Sequence, residues 1–241
     1  MTASRDHYER LLAHHYSWMF GVPFEEKVRE QAELLKLFGV GDPGHAVDLG
    51  CGSGFQAVAL ADLGAVTVHA IDISAALLAE LRDHAGGRPI VTHEIDLLQF
   101  EEVLDTPADT IICMGDTLTH LSNQNDVLRL FGAAANRLKR GGRLVLSWRD
   151  LSSPPQGLDR FIPLRATDDK VMVCFLEDQG QTVRVHDFIH VREADGWRFH
   201  KSAYSKLKLP LAWITEQLAS VGLIVDMQRT LRGMHIVAAV R

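Results

Sequence analysis

The feature that most constrains this chain is a repeated alternation. Short apolar runs, Ala46 to Leu49, Val66 to Ile71, Ile90 to His93, Thr110 to Met114 and Leu144 to Ser147, are separated by stretches with helical spacing. Strands that read as near-continuous apolar runs are buried on both faces, and strands that alternate with helices build a parallel sheet covered on either side. The expected fold is therefore α/β and doubly wound. A predicted helix over Leu211 to Val221 and two further runs, Leu223 to Met227 and His235 to Val240, close the sheet. With 241 residues, 46% of them hydrophobic and 23% charged, one core carrying an insertion accounts for the length.

Both ends of this pattern are elaborated. Residues 5 to 18 place Tyr8, Leu11, Leu12, His15 and Tyr16 at helical spacing, and Val28, Ala32, Leu35 and Phe38 repeat that face, predicting two helices joined at Gly21 to Pro23. After Trp148 the stretch 151 to 163 carries Ser152, Ser153, Pro154, Pro155 and Gly157, a loop signal. Lys170 to Glu177, Thr182 to Arg192 and Trp197 to Lys208 then read as three antiparallel strands. In the middle one, Val183, Val185, Asp187 and Ile189 fall on one face and Thr182, Arg184, His186 and Phe188 on the other. The chain divides into a helical cover (1–39), an α/β domain (40–150 and 208–241) and an inserted antiparallel β lid (151–207).

The formal net charge of −6, with acids and bases interleaved, argues against a nucleic-acid partner, which needs a clustered basic face. No run of ~18 apolar residues and no signal-peptide pattern occurs, so neither a membrane nor export is expected, and a cytoplasmic location is. Cys51, Cys113 and Cys174 are widely spaced and contain no CxxC pair, which suggests reduced thiols. No metal is expected either: His14 and His15, adjacent on a helix, point about 100° apart.

The chemistry begins at Asp48-Leu49-Gly50-Cys51-Gly52-Ser53-Gly54, which ends a predicted strand and opens a predicted helix. Open parallel sheets bind ligands there, beyond the carboxyl ends of their strands. Gly50, Gly52 and Gly54 let backbone approach a ligand with no Cβ between. A dinucleotide fingerprint reads GxGxxG; here the third glycine comes one residue early. Asp48 would repel a pyrophosphate but could receive an ammonium, directly or through water. The second strand ends at Asp72, 18 residues beyond Gly54, where a carboxylate can accept from both hydroxyls of a ribose, and Ser74 suits a helix N-cap. After the third strand, Asp96 could accept an adenine amino group while Ile73 and Leu97 sandwich the ring.

Together these residues resemble the class I S-adenosylmethionine-dependent methyltransferases, over roughly residues 40 to 150 and 208 to 241. The resemblance implies a mostly parallel seven-stranded sheet with an antiparallel last strand. It also implies that Gly50 and Gly52, with Cys51 and Gly54 in the same loop, line the methionine moiety, that Asp72 holds ribose, that Asp96 faces adenine and that Met114 lies near the sulfonium. A narrower resemblance is to glycine and sarcosine N-methyltransferases. It rests on CMGDTLTHL after the fourth strand, on WRD at Trp148 to Asp150, and on WMFG with Lys27 as a cofactor cover built from Trp18 and Lys27. That family has Arg where Lys27 stands, and its aromatic pair near the end of the inserted sheet aligns imperfectly with Tyr204.

Asp116 and His120 fall at the rim of the cleft as candidate catalytic residues positioning the acceptor. Arg149, at the end of strand five, could clamp a carboxylate bidentately. Tyr8, Tyr16, Trp18 and the lid would roof the site. The expected activity is methyl transfer from S-adenosylmethionine to a small molecule, an amine or amino acid first. O-methylation of a small acid or phenol and a non-catalytic cofactor-binding regulatory module are alternatives, and a nucleotide-dependent oxidoreductase is opposed by the glycine spacing and Asp48. Acceptor identity and oligomeric state are not encoded in any motif.

Overall fold

The computed structural model describes residues 16–241. Tyr8 and most of the helix expected over 5 to 18 lie outside the described residues. What is described starts with a short helix α1 (Tyr16–Phe20), a turn at Gly21 to Pro23, and α2 (Phe24–Leu37). The central sheet and its helices follow as β1 (His45–Leu49), α3 (Phe55–Asp62), β2 (Thr67–Asp72), α4 (Ala75–Ala85), β3 (Ile90–Glu94), β4 (Ala108–Cys113), α5 (Gln124–Arg137) and β5 (Leu138–Trp148). After the insertion come α6 (Leu211–Ser220), β10 (Ile224–Leu231) and β11 (Met234–Val240).

The seven strands lie in the order β10-β11-β5-β4-β1-β2-β3. β1 pairs parallel with β2 and with β4, while β11 runs antiparallel to both β5 and β10. The expected sheet with an antiparallel last strand is thus present. Its hairpin closes through Arg232 and Gly233, with φ of 51° and 75°; two positive φ values in a two-residue loop match the right-handed twist of the flanking strands. One face of the sheet is packed by a cluster including Phe100, Phe131, Trp148, Ile214 and Leu218, the other by one including Leu35, Phe38, Leu60, Val68 and Leu81. Among the described residues no helix is long and apolar enough to cross a membrane.

The insertion is a four-stranded antiparallel sheet in the order β6-β7-β8-β9, built from β6 (Phe161–Ala166), β7 (Lys170–Asp178), β8 (Thr182–Glu193) and β9 (Gly196–Leu207). Three of these match the sequence expectation. β6 is new, because its Pro163 cannot donate to a ladder; it is an edge strand whose register shifts between Pro163 and Arg165. In β8, Val183, Val185, Asp187 and Ile189 are buried, as the alternation predicted. The lid is fastened where it leaves and re-enters the main domain: the indole N–H of Trp148, at the end of β5, donates to the Leu209 carbonyl at 2.8 Å.

Candidate functional site

The loop from Asp48 to Gly54 is shaped by hydrogen bonds across the sheet. The Gly50 and Cys51 amides both donate to the Ile71 carbonyl, at 2.8 and 3.0 Å. Gly50 has φ 72°, and a Cβ there would stand 2.2 Å from Cγ2 of Thr117. Gly54 has φ 97°, and a Cβ there would meet Cδ1 of Leu81 at 2.1 Å. The first glycine therefore lets the strand-four loop close on the cofactor loop. The third lets α3 seat against α4, a packing role rather than the ligand contact expected of it, and Gly54 is not in the pocket wall.

Asp72 connects this loop to the next strand tip. Its Oδ2 accepts from the Gly52 amide at 2.8 Å and its Oδ1 from the Ser74 amide at 2.9 Å, while Ser74 caps α4 by accepting from Leu77 N at 3.4 Å. Burial raises the pKa of Asp72 above the ordinary carboxylate range, and the backbone donors oppose that rise. Beside it opens a pocket lined by Gly50, Gly52, Ile73, Leu77, Ile95, Asp96, Leu97 and Leu98 and by Tyr16, Thr117, His120, Leu121, Ser122 and Asp126. Asp96 points one oxygen at the Leu98 amide, 3.0 Å away. The wall thus combines apolar side chains, Ile73 and Leu97 among them, with the carboxylates of Asp72 and Asp96.

Two buried carboxylates behave oppositely. Asp48 is 2% exposed beneath the loop, and its Oδ2 has no hydrogen-bond partner among the described residues. Burial, and then the charge of Asp72, push it up to about 8. Asp116, just past β4, accepts from the Arg149 amide at 2.9 Å, from the Arg149 guanidinium at 2.7 Å and from Lys206 of the lid at 2.7 Å. Burial raises it, but the two cations outweigh burial and hold it well below the ordinary carboxylate range.

The structure redistributes several expected roles. Asp116 is a brace between core and lid, not a proton acceptor, because every proton that it could take up is opposed by two adjacent cations. Arg149 gives one edge of its guanidinium to Asp116, and its side chain remains 53% exposed. Trp18 packs against Met172 and Ile189, with Arg165 and Lys170 over its ring at 4.9 and 4.8 Å, so it braces the cover instead of lining the pocket. Lys27 pairs with Glu30 at 2.8 Å and lies over Phe20, also away from the pocket. Cys51 and Met114, expected near the methionine moiety, are buried in the core and are not in the pocket wall, and burial pushes the Cys51 thiol up.

Other expectations converge on one place. Tyr16 lies over Gly52, its ring 3.3 Å from where a Cβ would be, and Ser17 hydrogen-bonds Ser53 at 3.2 Å and also Glu80. His120 lines the pocket and stacks on the buried Tyr204 of the lid, ring centroids 5.1 Å apart. Leu77, Ile95, Leu98, Leu121, Ser122 and Asp126 escaped sequence reasoning. Asn123, which accepts from the Asp126 amide at 2.9 Å to cap α5, was the available signal that a helix N-terminus opens at this wall.

Comparison with known proteins agrees with this geometry. Residues 46–142 match the family described as "Methyltransferase domain". The match covers 97 of the 241 residues, and the fold around it is shared with solved S-adenosylmethionine-dependent methyltransferases. The chain is similar to phosphoethanolamine N-methyltransferase 2 of Caenorhabditis elegans, 32% identical over 142 residues covering 55% of this chain and 30% of the relative. It is also similar to the ribosomal protein L11 methyltransferase of Methylococcus capsulatus, 35% identical over 101 residues covering 42% and 32%. The chain thus spans about a third of the length of the curated relatives it matches. Among solved structures, the CcbJ methyltransferase of Streptomyces caelestis superimposes with a TM-score of 0.78 at 20% identity, covering 96% of each chain. The amino pentose methyltransferase CalS10 of Micromonospora echinaspora gives 0.73 at 19% identity, covering 95% of each.

Proposed function

We propose that the protein transfers the methyl group of S-adenosylmethionine to the nitrogen of a small polar amine. The observation that carries this reading is the charge of the pocket wall. Among the described residues its ionisable side chains are Asp72, Asp96, Asp126, His120 and Tyr16, with no Lys or Arg. Such a wall attracts cations, which suits a sulfonium cofactor and an ammonium-bearing acceptor and disfavours an anionic one.

The bound cofactor would supply an activated methyl on a positively charged sulfur. The chain's own residues would do the rest. Asp72, oriented by two backbone amides, would hold the ribose hydroxyls; Ile73 and Leu97 would enclose the adenine and Asp96 would face its amino group. Asp48, whose Oδ2 lacks a partner, is the group beneath the loop suited to a cofactor ammonium. Tyr16 would close over Gly52. An ammonium acceptor must first lose a proton, to His120 or to water. The neutral amine's lone pair, held in line at ~3–3.5 Å, then takes the methyl as the C–S bond breaks to give S-adenosylhomocysteine, and the proton left on the product nitrogen passes to solvent. Relatives that act on phosphoethanolamine and on an amino pentose support the amine class.

The test is a panel of amines, amino sugars, amino acids and phenols assayed for S-adenosylhomocysteine release, with mass spectrometry locating the new methyl. N-methylation of amines is expected. An O-methylated product, or turnover of acids in preference to amines, would overturn the amine reading. Cofactor binding with silence across the panel would favour a regulatory module, and tight NAD binding without response to either sulfur compound would overturn the cofactor assignment.

A further inference from the structure

The edge strand of the lid carries a bulge that aims one side chain. The inner face of the lid holds the buried Met172, Cys174 and Leu176. In β6, Ile162 stands opposite Cys174 on that face, while Phe161 and Pro163 stand opposite Phe175 and Val173 on the outer one. Strict alternation would put Arg165 on the outer face as well. Leu164 is the extra residue where the register shifts, so Arg165 comes to stand opposite Met172, on the inner face. Bulges re-aim side chains in this way. What Arg165 meets there is α1. Its guanidinium donates to the Trp18 carbonyl and lies 4.9 Å from the centre of the Trp18 ring, with Lys170 4.8 Å from the same ring.

The short helix that it meets has two working sides. Successive helical residues point about 100° apart, so Tyr16, Ser17 and Phe20 share one side of α1 and Trp18 and Met19 the other. From the first side, Tyr16 covers Gly52, Ser17 hydrogen-bonds Ser53 at 3.2 Å and also Glu80, and Phe20 packs edge-on to Phe55 with ring centroids 5.1 Å apart. From the second, Trp18 and Met19 pack against the buried Met172 and Ile189 of the lid, which Tyr16 also touches. A helix of five residues does not hold itself together in water, so its position is set by the two surfaces that it joins. We propose that the lid holds α1 shut over the cofactor, with Trp18 and Arg165 as positioning residues that act through Tyr16 and set how long the cofactor stays bound. The inference rests on the reading of the pocket as the S-adenosylmethionine site. Tyr16 lines that pocket and neither Trp18 nor Arg165 does, so their influence travels through packing and not through contact with the ligand. For Tyr16 to leave Gly52, α1 must either peel away from the lid or carry the lid edge with it.

Release of S-adenosylhomocysteine from the full chain, followed by stopped-flow chase with excess S-adenosylmethionine, tests this. Arg165→Ala should speed release by about 10-fold, the factor expected for one charge-assisted bond and one cation–π contact. Trp18→Ala should do at least as much, while Trp18→Phe, which keeps a ring for the two cations, should stay within about 3-fold of the wild type. In a Tyr16→Ala background, where α1 has lost its hold on the pocket, Arg165→Ala should change the rate by less than about 2-fold, a dependence that a merely structural role would not produce. Circular dichroism checks the fold, and Arg165, partly exposed on an edge strand, carries the test if Trp18→Ala misfolds. A folded Arg165→Ala that releases at the wild-type rate, or an equal acceleration with and without Tyr16, would overturn the proposal alone. A wild type that binds no S-adenosylhomocysteine would overturn the cofactor reading of the pocket and the proposal with it.

Discussion

Asp48 on β1 and Asp116 just beyond β4 belong to neighbouring strands and are both withdrawn from water, yet their acidities run in opposite directions. Asp116 has two cations and a backbone amide; Asp48 has an orphaned oxygen. Burial alone always disfavours the charged form, so the difference lies in the partners. A carboxylate whose partners are supplied by the fold contributes to the fold. One with an oxygen unpartnered among the described residues is instead pushed toward its neutral form.

The largest effect that could break this contrast is on Asp116. Asp116→Ala leaves Lys206, with a side chain only 12% exposed, without its counterion, and should destabilise the protein by about 3–5 kcal/mol in urea denaturation. A loss below about 1 kcal/mol would show that the brace is cosmetic. On the ligand side, Asp72→Ala should weaken S-adenosylhomocysteine binding by about 1.5–3 kcal/mol in calorimetry, with unchanged affinity placing the ribose elsewhere.

Asp48 sharpens the comparison through pH. Its folded value, about 8, lies above the ordinary 3.8, so the folded state holds a proton that the unfolded chain has released. Stability from this group is therefore fullest near pH 4 and is lost progressively as pH rises to about 8. Asp48→Asn should raise the melting temperature most near pH 8 and least near pH 4. The same variant should flatten the rise in cofactor affinity that the wild type is expected to show up to that pH, as deprotonation exposes the negative charge. A wild-type affinity independent of pH would remove Asp48 from the site. The smallest effect is expected at Arg149, whose half-exposed ion pair is worth about 1 kcal/mol or less to stability. Arg149→Ala should raise acceptor KM and leave cofactor affinity intact, and if KM also stays put the residue is only a brace.

The main sheet was legible because each strand had to be apolar on both faces, and the glycine loop because its backbone conformations exclude other residues. Asp72, Ile73, Asp96 and Leu97 were legible as pocket residues because they stand at or just beyond strand ends. What escaped depended on partners far away in sequence. Nothing near Asp116 announces Lys206, 90 residues on, and nothing near Trp18 announces that Arg165 and Lys170 will draw its ring outward. β6 was hidden by a proline that edge strands tolerate. Leu98, Leu121 and Ser122 reach the wall through short 3-10 turns and loops, where no periodicity marks which side chain faces in.

The bond from Trp148 to the Leu209 carbonyl ties together two points 61 residues apart, where the inserted sheet leaves the main domain and returns. An insertion whose ends already meet adds little loop-closure cost, since that cost grows only logarithmically with length. The lid can therefore vary in length with little strain on the parent sheet, so long as Lys206 keeps its bond to Asp116. A segment cut at these two residues is the natural unit for exchanging the inserted sheet.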